Sequence, residues 1–517
     1  MYPGRYSREH PDRVAVIMAG SGETVTYAEL EERSLRLAQL LHNRGLRPGS
    51  HIAVLLENHP RYFEVLWAGL RSGLYVTPIN RHLTVREAGY IIGDCGAEAL
   101  VTSASLAAKL VGLFDDAPGC AVRLVIDNDV DGYERYEKAI ADYPAHPLGD
   151  EPAGRTMMYS SGTTGRPKGI TGPLPGVALR DFTTYVTQLA QDFFDFNEET
   201  VYLSPAPLYH SAPIGFTVAA QALGGTVVVM ERFDPTDALA AIEAYRVTHS
   251  QWVPTMFVRM LKLDEPERQR YDLSSHRVAI HAAAPCPVTI KEQMLTWWGP
   301  ILYEYYSGSE TAGFTLALPE EWLAHPGTVG LPIIGTIHVC GDDGRDLGPK
   351  ETGLVYFERD RPVFQYHNDP EKTQSAYHPR HDSWATFGDV GHVDEEGFLY
   401  LTDRASFMIV AGGVNIYPQE IEDIFILHPS VADVAVIGVP NPDLGEEVKA
   451  VVQLAPGQVP GSELAEELLD FASGRLARFK VPRSIDFVDE LPRQPTGKLF
   501  KRLLRDQYWP ATGSKIL

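Results

Sequence analysis

The sequence predicts an α/β protein. Its large N-terminal part holds two doubly wound α/β subdomains and a β-rich subdomain, and a small α+β domain follows. Three observations predict this. Apolar strand-like runs alternate with helix-periodic runs up to about residue 320, which is the pattern of parallel sheets crossed by helices. From about residue 325 to 402, short runs sit between Gly and Asp turns. After Asp403-Arg404 the pattern tightens into helices and strands of a compact domain.

The elements follow in order. Thr26-Tyr27-Ala28-Glu29 reads as a capping box, with the Thr26 hydroxyl and the Glu29 carboxylate each satisfying a free backbone N–H. Leu30, Leu37, Leu40 and Leu41 continue at helical spacing, and Gly45 suits the stop. His51–Leu56 reads as a buried strand. Helices are predicted near residues 62–70 and 85–92. Strands are predicted at Tyr75–Thr77, Ala99–Thr102 and Val122–Ile126. A second series is predicted at Thr226–Met230, Ser250–Val253, Val278–His281 and Ile301–Tyr305. The β-rich region contributes Gly335–Val339, Gly353–Phe357 and Gly397–Tyr400. The last domain starts a helix near Pro418, a residue suited to a first turn, and carries strands at Asp433–Val439 and Val448–Val452.

Composition narrows the function. The 517 residues hold 45 Lys+Arg against 68 Asp+Glu, a formal net charge of −23. Such a surface disfavours nucleic acid and anionic membrane as partners. Cys95, Cys120, Cys286 and Cys340 form no CxxC pair, so a disulfide framework and a structural zinc site are disfavoured and a reducing cytoplasm fits. Residues 201–230 carry no Asp, Glu, Lys or Arg, but Pro205, Pro207, Pro213, His210, Gln221 and Gly224-Gly225 interrupt them. That reads as strand, loop, helix and strand, all buried, and not as a membrane span.

The strongest local signal is Tyr159-Ser160-Ser161-Gly162-Thr163-Thr164-Gly165-Arg166-Pro167-Lys168-Gly169. Glycine lets backbone N–H groups approach an anion and the hydroxyls add donors, so this is a phosphate cradle by composition. It is not a Walker A loop: Pro167 precedes Lys168, and Gly169 stands where the magnesium-binding hydroxyl would be.

This segment resembles the signature of the acyl-adenylate-forming (ANL) enzymes, which include acyl-CoA synthetases, adenylation domains and firefly luciferase. Further matches follow in order. They are Tyr306-Ser307-Gly308-Ser309-Glu310, Phe387-Gly388-Asp389, the hinge segment from Asp403-Arg404 through Gly412-Gly413 to Glu420-Ile421-Glu422, and Pro495-Thr496-Gly497-Lys498. Five ordered motifs are far more specific than any one. The resemblance spans nearly the whole chain and is strongest to bacterial fatty-acyl-CoA synthetases.

The resemblance implies a two-step ligase using ATP, Mg²⁺ and coenzyme A. A carboxylic acid, fatty or aromatic, becomes acyl-AMP with release of pyrophosphate, and the acyl group then passes to the CoA thiol. Residues 1–402 would form the ATP and acyl platform. Residues 403–517 would form a mobile lid on a hinge at 403–406. For ATP or AMP the implied residues are Ser160, Ser161, Gly162, Thr163, Thr164, Gly165, Lys168, Ala283, Ala284, Glu304, Tyr305, Tyr306, Ser309, Asp389 and Arg404. Ala283 and Ala284 would wall the adenine, Tyr306 would stack on it, and Asp389 with Arg404 would hold the ribose. Glu310 would hold Mg²⁺. Lys498 would put its ammonium between the carboxylate and the α-phosphate, and His210 would orient the carboxylate or gate its pocket. Tyr209, His210, Phe216, Trp252, Val253 and Ala282 would wall the acyl pocket, with no charged residue for a second polar group on the substrate. Gly412 and Gly413 would line the CoA channel. Ser406 stands at the hinge position where relatives often have Asp or Lys. The rival acceptor is an amine, which would make the chain an amide synthetase. The family analogy also admits a homodimer.

Overall fold

The computed structural model describes residues 2–160, 167–404, 407–412, 414–493 and 499–509, with the side chain of Arg502 also left out. The expected site residues Ser161, Gly162, Thr163, Thr164, Gly165, Ser406, Gly413 and Lys498 lie outside the described residues.

The first sheet is wholly parallel. Its order is Glu134–Arg135, Val122–Ile126, Ala97–Ser103, His51–Leu55, Tyr75–Pro78 and Arg155–Thr156. The helix Tyr27–Asn43 that packs with it begins on the expected capping box: Glu29 N–H donates to Thr26 Oγ1 at 3.2 Å, and Thr26 N–H donates to Glu29 Oε2 at 2.9 Å. The second sheet has nine strands, in the order Leu331–Ile334, Phe314–Ala317, Leu302–Ser307, Val278–His281, His249–Trp252, Val201–Ser204, Thr226–Val229, Val14–Met18 and Thr24–Thr26. Its middle strands are parallel and both edges are antiparallel.

Two differences from the sequence reading have physical causes. Val14–Met18 carries no strand prediction, and it pairs with Thr226–Val229, more than 200 residues later in the chain. Leu331–Ile334 falls in the region read as the β-rich subdomain, yet it pairs with Phe314–Ala317 in the second sheet. The charge-free stretch resolves as expected into the strand Val201–Ser204, the helix Ser211–Ala222 and the strand Thr226–Val229. Among the described residues no helix is long and apolar enough to cross a membrane.

The β-rich part is an antiparallel sheet of Tyr377–His378, His381–Ala385, Gly353–Glu358, Asp389–Val393 and Leu399–Arg404, with Thr336–Cys340 also on Gly353–Glu358. Leu399–Arg404 remains in this sheet through Arg404. A small sheet joins Met158–Ser160, Lys168–Thr171 and Gln365–Tyr366. The C-terminal sheet holds Val414–Ile416, Ile409–Ala411, Gly445–Leu454 and Val431–Asn441, with Ser484–Val488 parallel to Gly445–Leu454. The helix expected at Pro418 runs Pro418–Phe425 with the proline in its first turn.

Buried histidines tie the second sheet together. The His249 Nε2–H donates to the Phe194 carbonyl (2.7 Å), and His276 Nε2 pairs with Ser250 Oγ at 2.6 Å. Burial pushes the His249 imidazole down to about 4 and the His276 imidazole to about 3. The unfolded chain takes up these protons near pH 6.5, so it binds more protons than the folded chain below that value. Stability present above pH 6.5 is therefore lost as pH falls toward 4 and then 3, by ~1.4 kcal/mol per pH unit for each histidine. Urea unfolding at pH 7 and pH 5, compared with a His249→Gln, His276→Gln variant, checks this. The variant is expected to lose much of the wild type's pH dependence in that interval.

Candidate active site

Ligands of open α/β sheets bind beyond the carboxyl ends of the parallel strands. A cavity of about 2230 Å³ lies there. Its walls include Pro205–Pro207, Tyr209 and His210 after the strand Val201–Ser204, Ala283–Pro287 after Val278–His281, and Gly308–Thr311 after Leu302–Ser307. The first sheet adds Asn80–Leu83 and Met158–Ser160, and the C-terminal domain adds Gln419, Asp423, Arg493 and Leu499. The platform and the C-terminal domain thus face one shared space. Lys262 Nζ donates to the Val431 carbonyl (2.6 Å) across the same junction.

The most organised part centres on Asp389. Its Oδ2 accepts from Tyr306 Oη (2.6 Å) and its Oδ1 lies 3.1 Å from Arg404 Nε. Register places these groups together, because Asp389 lies opposite Arg404 in the antiparallel pair. Gly388 makes the approach with φ +84°, a left-handed conformation that favours glycine. Burial, and then the Asp389 carboxylate, push the Tyr306 phenol well above its ordinary range, so it remains a donor. Burial opposes the Arg404 charge, but Asp389 and the other acidic groups around it, Glu310 and Asp403 among them, together outweigh it and hold the guanidinium above its ordinary value. A carboxylate fixed this way can accept from vicinal hydroxyls.

Glu310 faces the cavity and accepts from Tyr366 Oη at 2.9 Å. A Cβ on Gly308 would come within 2.5 Å of the Phe387 ring and 2.7 Å of Glu310 Oε2, so only glycine allows this close turn. Ser309 bonds Ser211 at the start of the helix Ser211–Ala222 (Oγ–Oγ 3.1 Å). Lys168 lines the cavity from the small sheet and pairs with Asp369 (2.9 Å), a partner that the sequence reading did not identify. Ser160 ends the strand Met158–Ser160 on the same wall. Ala283 and Ala284 also line it, and Ala283 holds φ +76°, a strained value for a residue with a Cβ.

Glu304 lines the cavity with almost no exposure and takes Lys291 Nζ at 2.7 Å, while His281 Nε2 is 3.5 Å from the same oxygen. Burial pushes the Glu304 carboxyl up and the Lys291 ammonium down, and their mutual attraction opposes both. Tyr305 points the other way along the strand. It stacks on Phe314 (4.7 Å between centroids) and packs near Phe216, on the apolar side of the cavity rather than with the Asp389 group.

Of the expected acyl-pocket walls, Tyr209, His210, Phe216 and Val253 line the cavity. Trp252 and Ala282 do not. Strand alternation turns Trp252 into the opposite core against Phe257, Trp298 and Phe233, leaving Gln251 and Val253 to face the cavity. Ala282 is buried in the main core, one residue before the cavity wall starts at Ala283. Gly412 sits on the turn between Ile409–Ala411 and Val414–Ile416 and is not part of the cavity wall. One residue was missed. Asn58 fastens the loop that carries Tyr209 and His210, donating to the Ala206 and Met230 carbonyls (3.2 and 2.7 Å) and accepting from Leu208 N–H (2.9 Å). No sequence pattern marks an asparagine whose partners lie about 150 residues away.

The α/β platform, the ordered acceptors beyond its strand ends and the second domain on the same cavity define an enzyme that activates small molecules. A family model for AMP-binding enzymes matches residues 5–365, and one for the AMP-binding enzyme C-terminal domain matches residues 420–498. The chain belongs to this family, within the adenylate-forming superfamily. It is 35% identical to a feruloyl-CoA synthase of Amycolatopsis sp over 512 residues, 98% of each chain. It is 30% identical to the long-chain-fatty-acid–CoA ligase FadD13 of Mycobacterium tuberculosis over 503 residues, 96% of each chain. Among solved structures, the amide bond synthetase McbA from Marinactinospora thermotolerans matches with a TM-score of 0.79 and 27% identity, covering 98% of this chain and 99% of that one.

Proposed function

We propose that this AMP-forming acid–thiol ligase activates a fatty or aromatic carboxylic acid as acyl-AMP and passes the acyl group to CoA. The observation that carries the reading is the Tyr306–Asp389–Arg404 group opening on the same cavity as Glu310 and the apolar walls around Phe216. In the first step a substrate carboxylate oxygen attacks the α-phosphorus of ATP, and the bond to pyrophosphate breaks. In the second, the CoA sulfur attacks the acyl carbon, AMP leaves, and the thiol proton goes to solvent. No side chain serves as nucleophile, so the protein acts through positioning and charge.

Asp389 would accept from the ribose hydroxyls, with Arg404 and Tyr306 keeping its carboxylate oriented. Ala283 and Ala284 would flank the adenine, and Ser160 with Lys168 would meet the phosphates. Among the described residues no cluster of three or more His, Cys, Asp or Glu gathers to hold a metal. One carboxylate together with substrate phosphates is the usual setting for Mg²⁺, and Glu310 fits it. Mg²⁺ bound there would offset phosphate charge. Arg493 and Leu499, which bracket the segment of Lys498, line the cavity; this supports assigning Lys498 to the reacting carboxylate and α-phosphate. We place the platform at residues 1–402 and the mobile domain at 403–517, with Ser406 at the hinge and Gly412-Gly413 on the CoA path once that domain has turned. A cytoplasmic setting fits the four free cysteines.

The likeness to an amide bond synthetase favours one alternative, an amine as acceptor. Product analysis with ATP and one activated acid, offered CoA or amines in parallel, separates the two. The thioester is the expected product. Amide formed without thioester would overturn CoA as the acceptor.

A further inference from the structure

Part of the cavity lies on its apolar side, walled by Trp67, Leu70, Leu179, Phe182, Val186 and Val218. Hydrocarbon walls alone would suit a plain fatty chain. Among the described residues a cation stands with them. Arg155, on the edge strand Arg155–Thr156 that pairs with Tyr75–Pro78, also lines the cavity. It is half-buried, and its Nη1 donates to the Pro173 carbonyl at 2.9 Å. The Tyr75 and Tyr185 phenols are the titratable groups that act on it. Burial pushes the guanidinium below its ordinary value, and no carboxylate offsets this.

That sets Arg155 apart from three of the other cations of this wall, while among the described residues Arg81, Arg232, Arg259, Arg361 and Lys372 line it without an ion pair to a carboxylate as well. Lys168 holds Asp369 (2.9 Å), Arg404 holds Asp389 (3.1 Å) and Lys501 holds Glu422 (2.7 Å). Among the described residues Arg155 has no acidic partner, and none of the residues outside the description is an Asp or a Glu. A guanidinium has five N–H donors, and the Pro173 carbonyl takes one. The remaining donors stay partly open to the cavity, where an oxygen acceptor can meet them.

We propose that Arg155 binds an oxygen acceptor on the substrate acid, remote from the reacting carboxylate: a second carboxylate or a phenolic oxygen. Resting on the reading of this cavity as an acid-activating site, it makes Arg155 a specificity determinant and supplies the charged residue that the sequence reading did not find. Plain hydrocarbon acids leave its donors unmet, while oxygen-bearing acids satisfy them.

The test compares dodecanoic with dodecanedioic acid, and 3-phenylpropanoic with 3-(4-hydroxyphenyl)propanoic acid, in ATP–pyrophosphate exchange by the wild type, Arg155→Met and Arg155→Lys. The wild type is expected to favour at least one oxygen-bearing member by ~10–100-fold in kcat/KM, the scale of hydrogen bonds to a charged group. Which pair shows the preference identifies the acceptor as carboxylate or phenol. Arg155→Met should abolish the preference without slowing the plain acid, which also shows that the variant folds, and Arg155→Lys should keep part of it. Equal use of both members by the wild type, or a preference that survives in Arg155→Met, overturns the proposal. Thermal stabilisation by the oxygen-bearing acid without ATP is a second readout. If no acid supports exchange but stabilisation is still lost in Arg155→Met, the adenylation reading falls and the Arg155 site stands. Equal stabilisation of both proteins removes the site.

Discussion

Lys498→Ala is expected to slow acyl-AMP formation by ~10²–10³, the scale set by loss of one oxyanion-type donor. As the carboxylate approaches the α-phosphorus, negative charge gathers between two groups that already repel. A fixed ammonium there is worth more in the transition state than in the ground state, so kcat should fall more than KM rises. Thioester formation from supplied acyl-AMP should be largely spared, because that step needs space for a thiol rather than the ammonium. Pyrophosphate exchange and single-turnover thiolysis measure the two steps separately. Wild-type exchange in Lys498→Ala would remove the residue from the mechanism.

Lys291→Met is expected to destabilise the platform by ~3–5 kcal/mol, as removal of one partner from a buried ion pair does. Lys291 and Glu304 are both nearly inaccessible, 2.7 Å apart, and the Lys291 ammonium also lies 4.6 Å from the centre of the Trp322 ring. Removing the cation leaves a buried carboxylate at the cavity wall with only the His281 ring, 3.5 Å away, beside it. The pair joins the helix Val288–Trp298 to the strand Leu302–Ser307, which frame the proposed adenine site. Loss of ATP affinity should therefore accompany loss of stability. Denaturant unfolding followed by tryptophan emission reads the first and KM for ATP the second. The double variant Lys291→Met, Glu304→Gln should recover much of the stability, because it removes the stranded charge. No recovery would show that the cost lies in packing.

The parts that were legible from sequence are those whose signal is local. Val278–His281 is read at its observed bounds, because a strand buried on both faces is an unbroken apolar run. Thr26 and Glu29 form their capping box within four residues. The order of motifs brought Tyr306, Glu310, Asp389 and Arg404 to one cavity wall as expected. What escaped depends on pairing across the chain or on side-chain parity. Trp252 looked like a wall residue because its neighbours are, yet one step along a strand reverses the face. Lys501, one of several cations close together near the end of the chain, is buried and paired with Glu422. Arg155 looks like any strand-end arginine, because the groups that surround it are set by pairing across the chain and not by a motif.

The edge pairing of Val14–Met18 has a consequence for how the chain is made. Gly20 N–H donates to Glu231 Oε2 across a separation of 211 residues, beside the strand pairing of Val16 with Val227. At ribosomal speeds of about 5–20 residues per second, the N-terminal hairpin waits ~10–40 s for the strand it needs. Throughout that interval an apolar strand with unpaired backbone groups is outside the ribosome with its partner not yet synthesised. Nascent chains stalled before Thr226 would thus be a natural client for a holding chaperone, and the second sheet closes late, well after the first has all its strands.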